Sequence, residues 1–360
     1  MLSCPGARGF VRGSVVGAGG HQSVGAADDL ADLLRDVCLA QGAPAGTIGA
    51  IENPTAAQAN VTAGGNLNVQ PERANTWTAG VIVQPSFVSG LSISADYYNI
   101  KVKGLIAAPL PGDVIGACFN SLSAASVTNP ACTSIRRNPA TGGLDGPADT
   151  TPGLFAPLTN EGDLFTDGVD LIINYRRDLG FAAAQFNFVG NYTANSEFQA
   201  SPSSINRECT GFYSINCSFT GSIQPEFQFS QRTTLSFEGV DLSLLWRWID
   251  RTDFEPQQFA DDVAAAVAGG CVDPTGADPN GCVVNPDFRS IRAENYFDLT
   301  ARFNLTDNFT FTATVINLTD NKPKVVGNTI GSTTFNSGNV FPSTYDALGR
   351  RFAFGARVRF

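Results

Sequence analysis

Histidine is almost absent, and that scarcity closes off much of enzymology. A Ser-His-Asp triad, a Cys-His pair or a histidine-based metal site would have to use the single His21, and no partner motif accompanies it. GxSxG, HExxH, Walker A and a GxGxxG after a strand are missing as well, so the reading is of a protein that is not an enzyme and carries no cofactor. Charge is also sparse, at 16% of residues, where a soluble protein has about 25%. Lysine is rare and the net charge is -10. Nucleic acid, which needs a basic stripe against its phosphates, is excluded as a partner. No apolar run reaches about 18 residues, so no helix crosses a membrane. A β-barrel escapes that exclusion, because its strands are half polar. Near Met1 there is no apolar stretch long enough for a signal peptide, and Leu2-Ser3-Cys4 only faintly resembles a lipoprotein cleavage site. The expectation is that the chain is the back part of something longer.

What the chain has instead is alternation. From Phe352 on, Phe352, Phe354, Ala356, Val358 and Phe360 alternate with Ala353, Gly355, Arg357 and Arg359. A period of two predicts a strand with one apolar face. The same pattern predicts strands over 73–84, 90–103, 164–177, 181–197, 225–237, 240–252, 293–305, 309–319 and about 348–360, nine in all. The apolar register holds, for example, Val169, Leu171, Ile173 and Tyr175 in one strand and Leu242, Leu244, Trp246 and Trp248 in another. The opposite register carries Asp170, Arg176, Arg232, Asp241, Arg247, Asp298, Arg302, Arg357 and Arg359. Leu245 and Ile249 break the alternation by falling in the polar register. Trp77, Tyr97, Tyr98, Tyr175, Tyr192, Trp246, Trp248 and Tyr296 are candidates for aromatic girdles, with ordinary core aromatics as the alternative.

The strands come as hairpins with short turns, separated by long connections at 104–163, 198–224, 253–292 and 320–347. Connections this long are uncommon in compact soluble domains. Short turns on one side and long loops on the other is the asymmetry of outer-membrane barrels. Six of eight cysteines form close pairs inside the long connections: Cys118 with Cys132, Cys209 with Cys217, and Cys271 with Cys282. Without CxxC spacing or a nearby histidine they do not suggest zinc, and they read as candidate disulfides formed in an oxidising compartment, with free buried thiols as the alternative. Cys4 and Cys38 are left for a fourth pair. Helical spacing predicts short loop helices at Asp28–Cys38 and Asp261–Ala268. Asp273, Asp278 and Asn280 crowd one loop, but not at EF-hand spacing, so a solvated loop is the preferred reading over calcium.

Two motifs near the C-terminus are more specific. Residues 315–323 read VINLTDNKP, and the chain closes with YDALGRRFAFGARVRF. NLxDxxP at a strand end, a long loop, then YDxxGRRxxxGxxxxF resembles the C-terminal signature of TonB-dependent outer-membrane receptors. Residues 72–81, ERANTWTAGV, are similar to a barrel strand of that family. The resemblance implies an all-β fold, an antiparallel transmembrane β-barrel segment of about nine strands from a larger barrel, with long loops carrying short helices. It divides the chain into a loop-like extracellular segment, 1–71, and a C-terminal barrel portion, 72–360. It implies location in the outer membrane of a Gram-negative bacterium and, as parent function, TonB-energised uptake of a bulky scarce solute: a siderophore, cobalamin or an oligosaccharide.

The family's barrel has twenty-two strands around an N-terminal plug, and nothing here resembles the plug or the short energy-coupling box. The expectation is that this chain alone is not competent for transport and meets the TonB complex only through a missing plug region. Further partners implied are outer-membrane lipid and the barrel-assembly machinery, which would read Phe360 as its signal. The alternatives are a non-gated porin-like barrel, complete and even-stranded, and a soluble secreted β-sandwich binding protein. Phe155, Phe165, Phe212, Tyr213 and Phe335 are loop aromatics within reach of a ligand, none singled out.

Overall fold

The computed structural model describes residues 4, 25–52, 54, 59–109, 111–119, 122–202, 204–214, 216–217, 222–268, 286–326 and 340–359. Nine strands dominate it: β1 (Arg73–Val83), β2 (Leu91–Ala107), β3 (Thr159–Asp178), β4 (Ala183–Gln199), β5 (Phe227–Phe237), β6 (Val240–Ile249), β7 (Glu294–Thr306), β8 (Phe309–Ile316) and β9 (Arg351–Val358). They lie side by side in sequence order, β1 to β9, in one sheet, with a two-residue strand at Arg207–Glu208 added against β4. Every pairing from β4 to β9 is antiparallel. All nine strands expected from alternation are present. β2 runs on to Ala107 and β3 starts as early as Thr159, because their loop ends stay paired beyond the apolar stretch. β6 stops at Ile249, and Thr252–Phe254 belongs to a separate small sheet.

The register builds rows of apolar side chains across the sheet. One row reads Phe186, Thr233, Leu244, Leu299, Val315, Phe352 from β4 to β9. The next reads Ala184, Leu235, Leu242, Ala301, Ala313, Phe354. Cross-strand aromatic contacts mark both ends of this face. Phe229 meets Trp246 edge-on at 4.8 Å and Trp246 stacks on Phe297 at 5.9 Å. Toward the turns, Phe303 and Phe311 stack at 6.4 Å. Such pairs stabilise by about 0.5–1.5 kcal/mol beyond the area they cover. Yet much of this face is open: Leu299 is 38% exposed and Phe354 72%.

The chain divides into two compact units. The first comprises 1–74, 102–164 and 198–206. In it, α1 (Gly25–Ala40) and α2 (Pro111–Phe119) pack beside a three-stranded sheet of Val61–Gly64, Gly153–Pro157 and Ile135–Arg136. The residues before β1 thus fold together with the β2–β3 connection, forming two small cores that share Phe119 and Leu122 at their margins. α1 extends the helix expected at Asp28–Cys38 by a few residues at each end. α2 was not legible, being too short for periodicity to separate it from loop. Gly153 is required here: its φ is +72°, and a Cβ would lie 2.0 Å from the Asn60 carbonyl oxygen.

The second unit comprises 75–101, 165–197 and 207–360. Beside its share of the large sheet it holds a small sheet of Phe212–Tyr213, Thr252–Phe254 and Ser290–Ile291. Tyr213, Ile223, Ile249, Phe254, Ile291, Tyr296, Val326, Phe341 and Tyr345 form its core. Three long connections contribute to that core. α3 (Pro256–Ala268) begins five residues before the expected helix, with proline at its first position, where the missing N–H is harmless.

Candidate functional site

The polar register is hydrogen-bonded across several neighbouring strands. Asn187 donates to Asn174 at 2.6 Å, and Asn191 donates to Asp170 at 2.8 Å and to the Tyr98 hydroxyl at 3.2 Å. Farther along, Arg302 pairs with Asp241 at 2.6 Å, Arg232 donates to Ser243 at 3.0 Å, and the Thr300 and Thr314 hydroxyls meet at 3.1 Å. Arg247 reaches Asp298 at 3.3 Å, and the same carboxylate accepts the Asn317 amide at 2.8 Å. These are groups that belong against water, so this face suits a wet interior and the opposite face does not.

Tyr97 and Tyr98 follow one another in β2 and serve opposite faces, as the pleat requires. Tyr98 lies over Gly168, where any Cβ would sit 2.5 Å from its hydroxyl oxygen. Tyr97 contacts Trp77, at 4.9 Å between ring centres, and donates to Asp167 at 2.7 Å. Tyr98 therefore faces the polar side and does not belong to a girdle. Tyr296 is also removed from the girdle, being fully buried in the loop core.

Among the described residues three disulfides staple the loops. Cys118 is joined to Cys132, Cys209 to Cys217, and Cys4 to Cys38. Cys271, Cys282 and Phe360 lie outside the described residues, as do His21, Phe335, Asp273, Asp278 and Asn280. The Cys209–Cys217 bridge brackets Ser214, whose hydroxyl donates to Glu255. Glu255 also takes Arg207 at 2.6 Å, with both side chains almost fully buried at 3% and 2% exposure. Arg137 is buried in the first unit, donating to Gln41 at 2.8 Å and to the Gly142 carbonyl at 3.1 Å. Burial lowers its pKa to about 10, so it remains a cation at neutral pH. None of these charges was singled out by sequence, because one arginine or glutamate in a polar loop carries no pattern. Neighbouring Cys209 was the available signal for the Arg207–Glu255 pair.

The loop aromatics divide. Tyr213 is fully buried, its hydroxyl donating to the Phe288 carbonyl, so it is core and not a ligand contact. Burial raises its pKa well above the usual phenol range. Phe155 lies under the exposed Arg136 guanidinium at 4.6 Å, and Phe165 under Lys101 at 5.1 Å. Phe212 is half-buried in the small sheet. Among the described residues no three histidine, cysteine, aspartate or glutamate side chains converge as a metal site.

Comparison with known proteins gives one family. The family described as TonB dependent receptor-like, beta-barrel matches residues 32–318. Among solved structures, the ferric enterobactin receptor PfeA of Pseudomonas aeruginosa aligns at 15% identity with a TM-score of 0.49, over 83% of this chain and 33% of its own. The FrpB iron transporter of Neisseria meningitidis aligns at 11% identity and 0.45, over 83% and 33%. The copper transporter OprC aligns at 16% identity and 0.42, over 82% and 33%. This chain spans about a third of the length of each. No curated protein sequence matches it.

Proposed function

Since the chain belongs to the TonB-dependent receptor-like β-barrel family, a family of receptors and transporters, we propose that it forms part of the wall and loop crown of an outer-membrane uptake receptor. The observation that carries this is the sheet itself. Nine antiparallel neighbours keep one face apolar and largely open and the other face hydrogen-bonded and charged. A hydrocarbon exterior and an aqueous interior meet both demands at once. A water-soluble sandwich would cover this face with a second sheet, yet Phe352 is 63% exposed and Phe354 72%. Among the described residues β1 and β9 each have a neighbour on one side only. In a bilayer both edges need strands to pair with, so the working barrel contains more wall than these nine strands.

In this reading the stapled connections face the outside of the cell, Phe360 engages the barrel-assembly machinery, and energy from the TonB complex arrives through a plug region. The solute is bulky and scarce: a siderophore, cobalamin or an oligosaccharide. The test deletes the native gene and measures growth and uptake on a panel of ferric siderophores, cobalamin and oligosaccharides, with and without the proton-motive force. Loss of uptake of one class, dependent on energisation, is expected. A chain that fractionates with soluble secreted proteins would overturn the membrane reading. Solute passage indifferent to energisation would replace the receptor with an open pore.

A further inference from the structure

Two polar side chains interrupt the apolar face at its middle. In β5, Gln231 stands between Phe188 and Trp246, and Thr233 between Phe186 and Leu244. Thr233 lies four residues from the aromatic row at Phe237, roughly 14 Å of strand, and Gln231 lies the same distance from Phe227 at the other end. In the rows of β4 to β9 at and between Phe237 and Phe229, the only other polar member is Asn295, in the outermost row, where it accepts from the Trp246 indole at 2.9 Å.

Gln231 donates one N–H to the Thr233 hydroxyl oxygen at 2.7 Å. Among the described residues that bond is the whole of their side-chain partnering. The Gln231 carbonyl oxygen, its second N–H and the Thr233 hydroxyl proton are left over. Lipid tails offer nothing to those groups, and uncompensated polar groups at that depth mark contacts or function.

We propose that the patch centred on Gln231 and Thr233 is where two copies of this chain meet side by side within the membrane. The second copy is favoured over other occupants by the chemistry of the amide. A primary amide is both donor and acceptor in one plane, so across a two-fold axis each Gln231 completes the other. No ionised group stands in the patch to demand a partner of opposite charge. Thr233 and Ala184 keep the surface low beside Phe188 and Trp246, allowing close approach. The inference rests on the membrane reading given above.

The test uses the natively encoded chain in outer-membrane preparations, with two differently tagged copies in one cell. A photo-crosslinking residue at position 231 is expected to give an adduct carrying both tags, and one at Leu299, two strands away, a much weaker one. Gln231→Leu, which suits lipid better, is expected to reduce co-purification of the tags about fivefold or more while the chain stays in the membrane and keeps a heat-modifiable band. Unchanged co-purification in Gln231→Leu, or adducts only with lipid or an unrelated protein, overturns the proposal. A chain that leaves the membrane on a urea wash sinks the membrane reading instead.

Discussion

The Asp320 carboxylate accepts the backbone amide of Arg350 at 2.9 Å, joining the two C-terminal motifs across thirty residues of sequence. Between them Gly349 adopts a φ of +76°, and a Cβ there would lie 2.7 Å from the same carboxylate oxygen. Gly349→Ala therefore combines left-handed strain with a clash at the contact that seats β9. It should destabilise by about 1–3 kcal/mol. The check is the temperature at which the heat-modifiable band is lost; an unchanged midpoint would refute the coupling.

Asp346 should make this junction acid-sensitive. Burial opposes its ionisation, but hydrogen bonds from Arg351 and from the Leu348 and Gly349 amides outweigh it and hold the carboxyl below its ordinary range. A depressed folded pKa means the contribution is complete above the unfolded value, about 3.9, and fades as pH falls through the folded one. Resistance to protease, titrated from about pH 6 to pH 3, should fall more steeply for the native chain than for Asp346→Asn. Parallel curves would assign the acid sensitivity elsewhere.

Glu255→Ala removes the carboxylate that stands 2.6 Å from the buried Arg207 guanidinium. Breaking a buried pair in this way costs about 3–5 kcal/mol, so proteases should cut sooner in the 200–226 and 250–293 connections. Replacing both residues by leucine should recover much of the loss. If the double variant is cut as fast as Glu255→Ala, the effect is not one of the broken ion pair.

The staples should matter for the first unit more than its small cores can. Cys118 and Cys132 are 14 residues apart, and closing such a loop stabilises by about 3 kcal/mol in the chain-entropy account. Replacing both by serine, or reducing the native chain, should expose 108–158 to proteolysis while the hairpins β5–β6 and β7–β8 stay protected. Equal protection before and after reduction would show the core sufficient by itself.

Leu299 and Thr300 are neighbours in β7 on opposite faces. Leu299→Arg should cost about 2–4 kcal/mol if its face meets hydrocarbon, and Thr300→Arg much less, beside the polar Thr314 hydroxyl. Assembled yield in the outer membrane reads the difference. Equal yields would mean the faces are misassigned.

The strand register was legible because it is local: a pleat repeats every two residues, so Phe352, Phe354 and Val358 announce one face without knowing what lies beside them. The short turns and the cysteine pairs Cys118–Cys132 and Cys209–Cys217 were legible for the same reason. The helix Pro111–Phe119, the buried Arg207–Glu255 pair and the core position of Tyr213 were not. Sequence by itself determined the nine strands, their two faces and the family signature. Only the tertiary structure decided which long connections share a core and which polar groups are taken out of water. Those outcomes depend on contacts between segments tens of residues apart, and no periodicity within either segment records them.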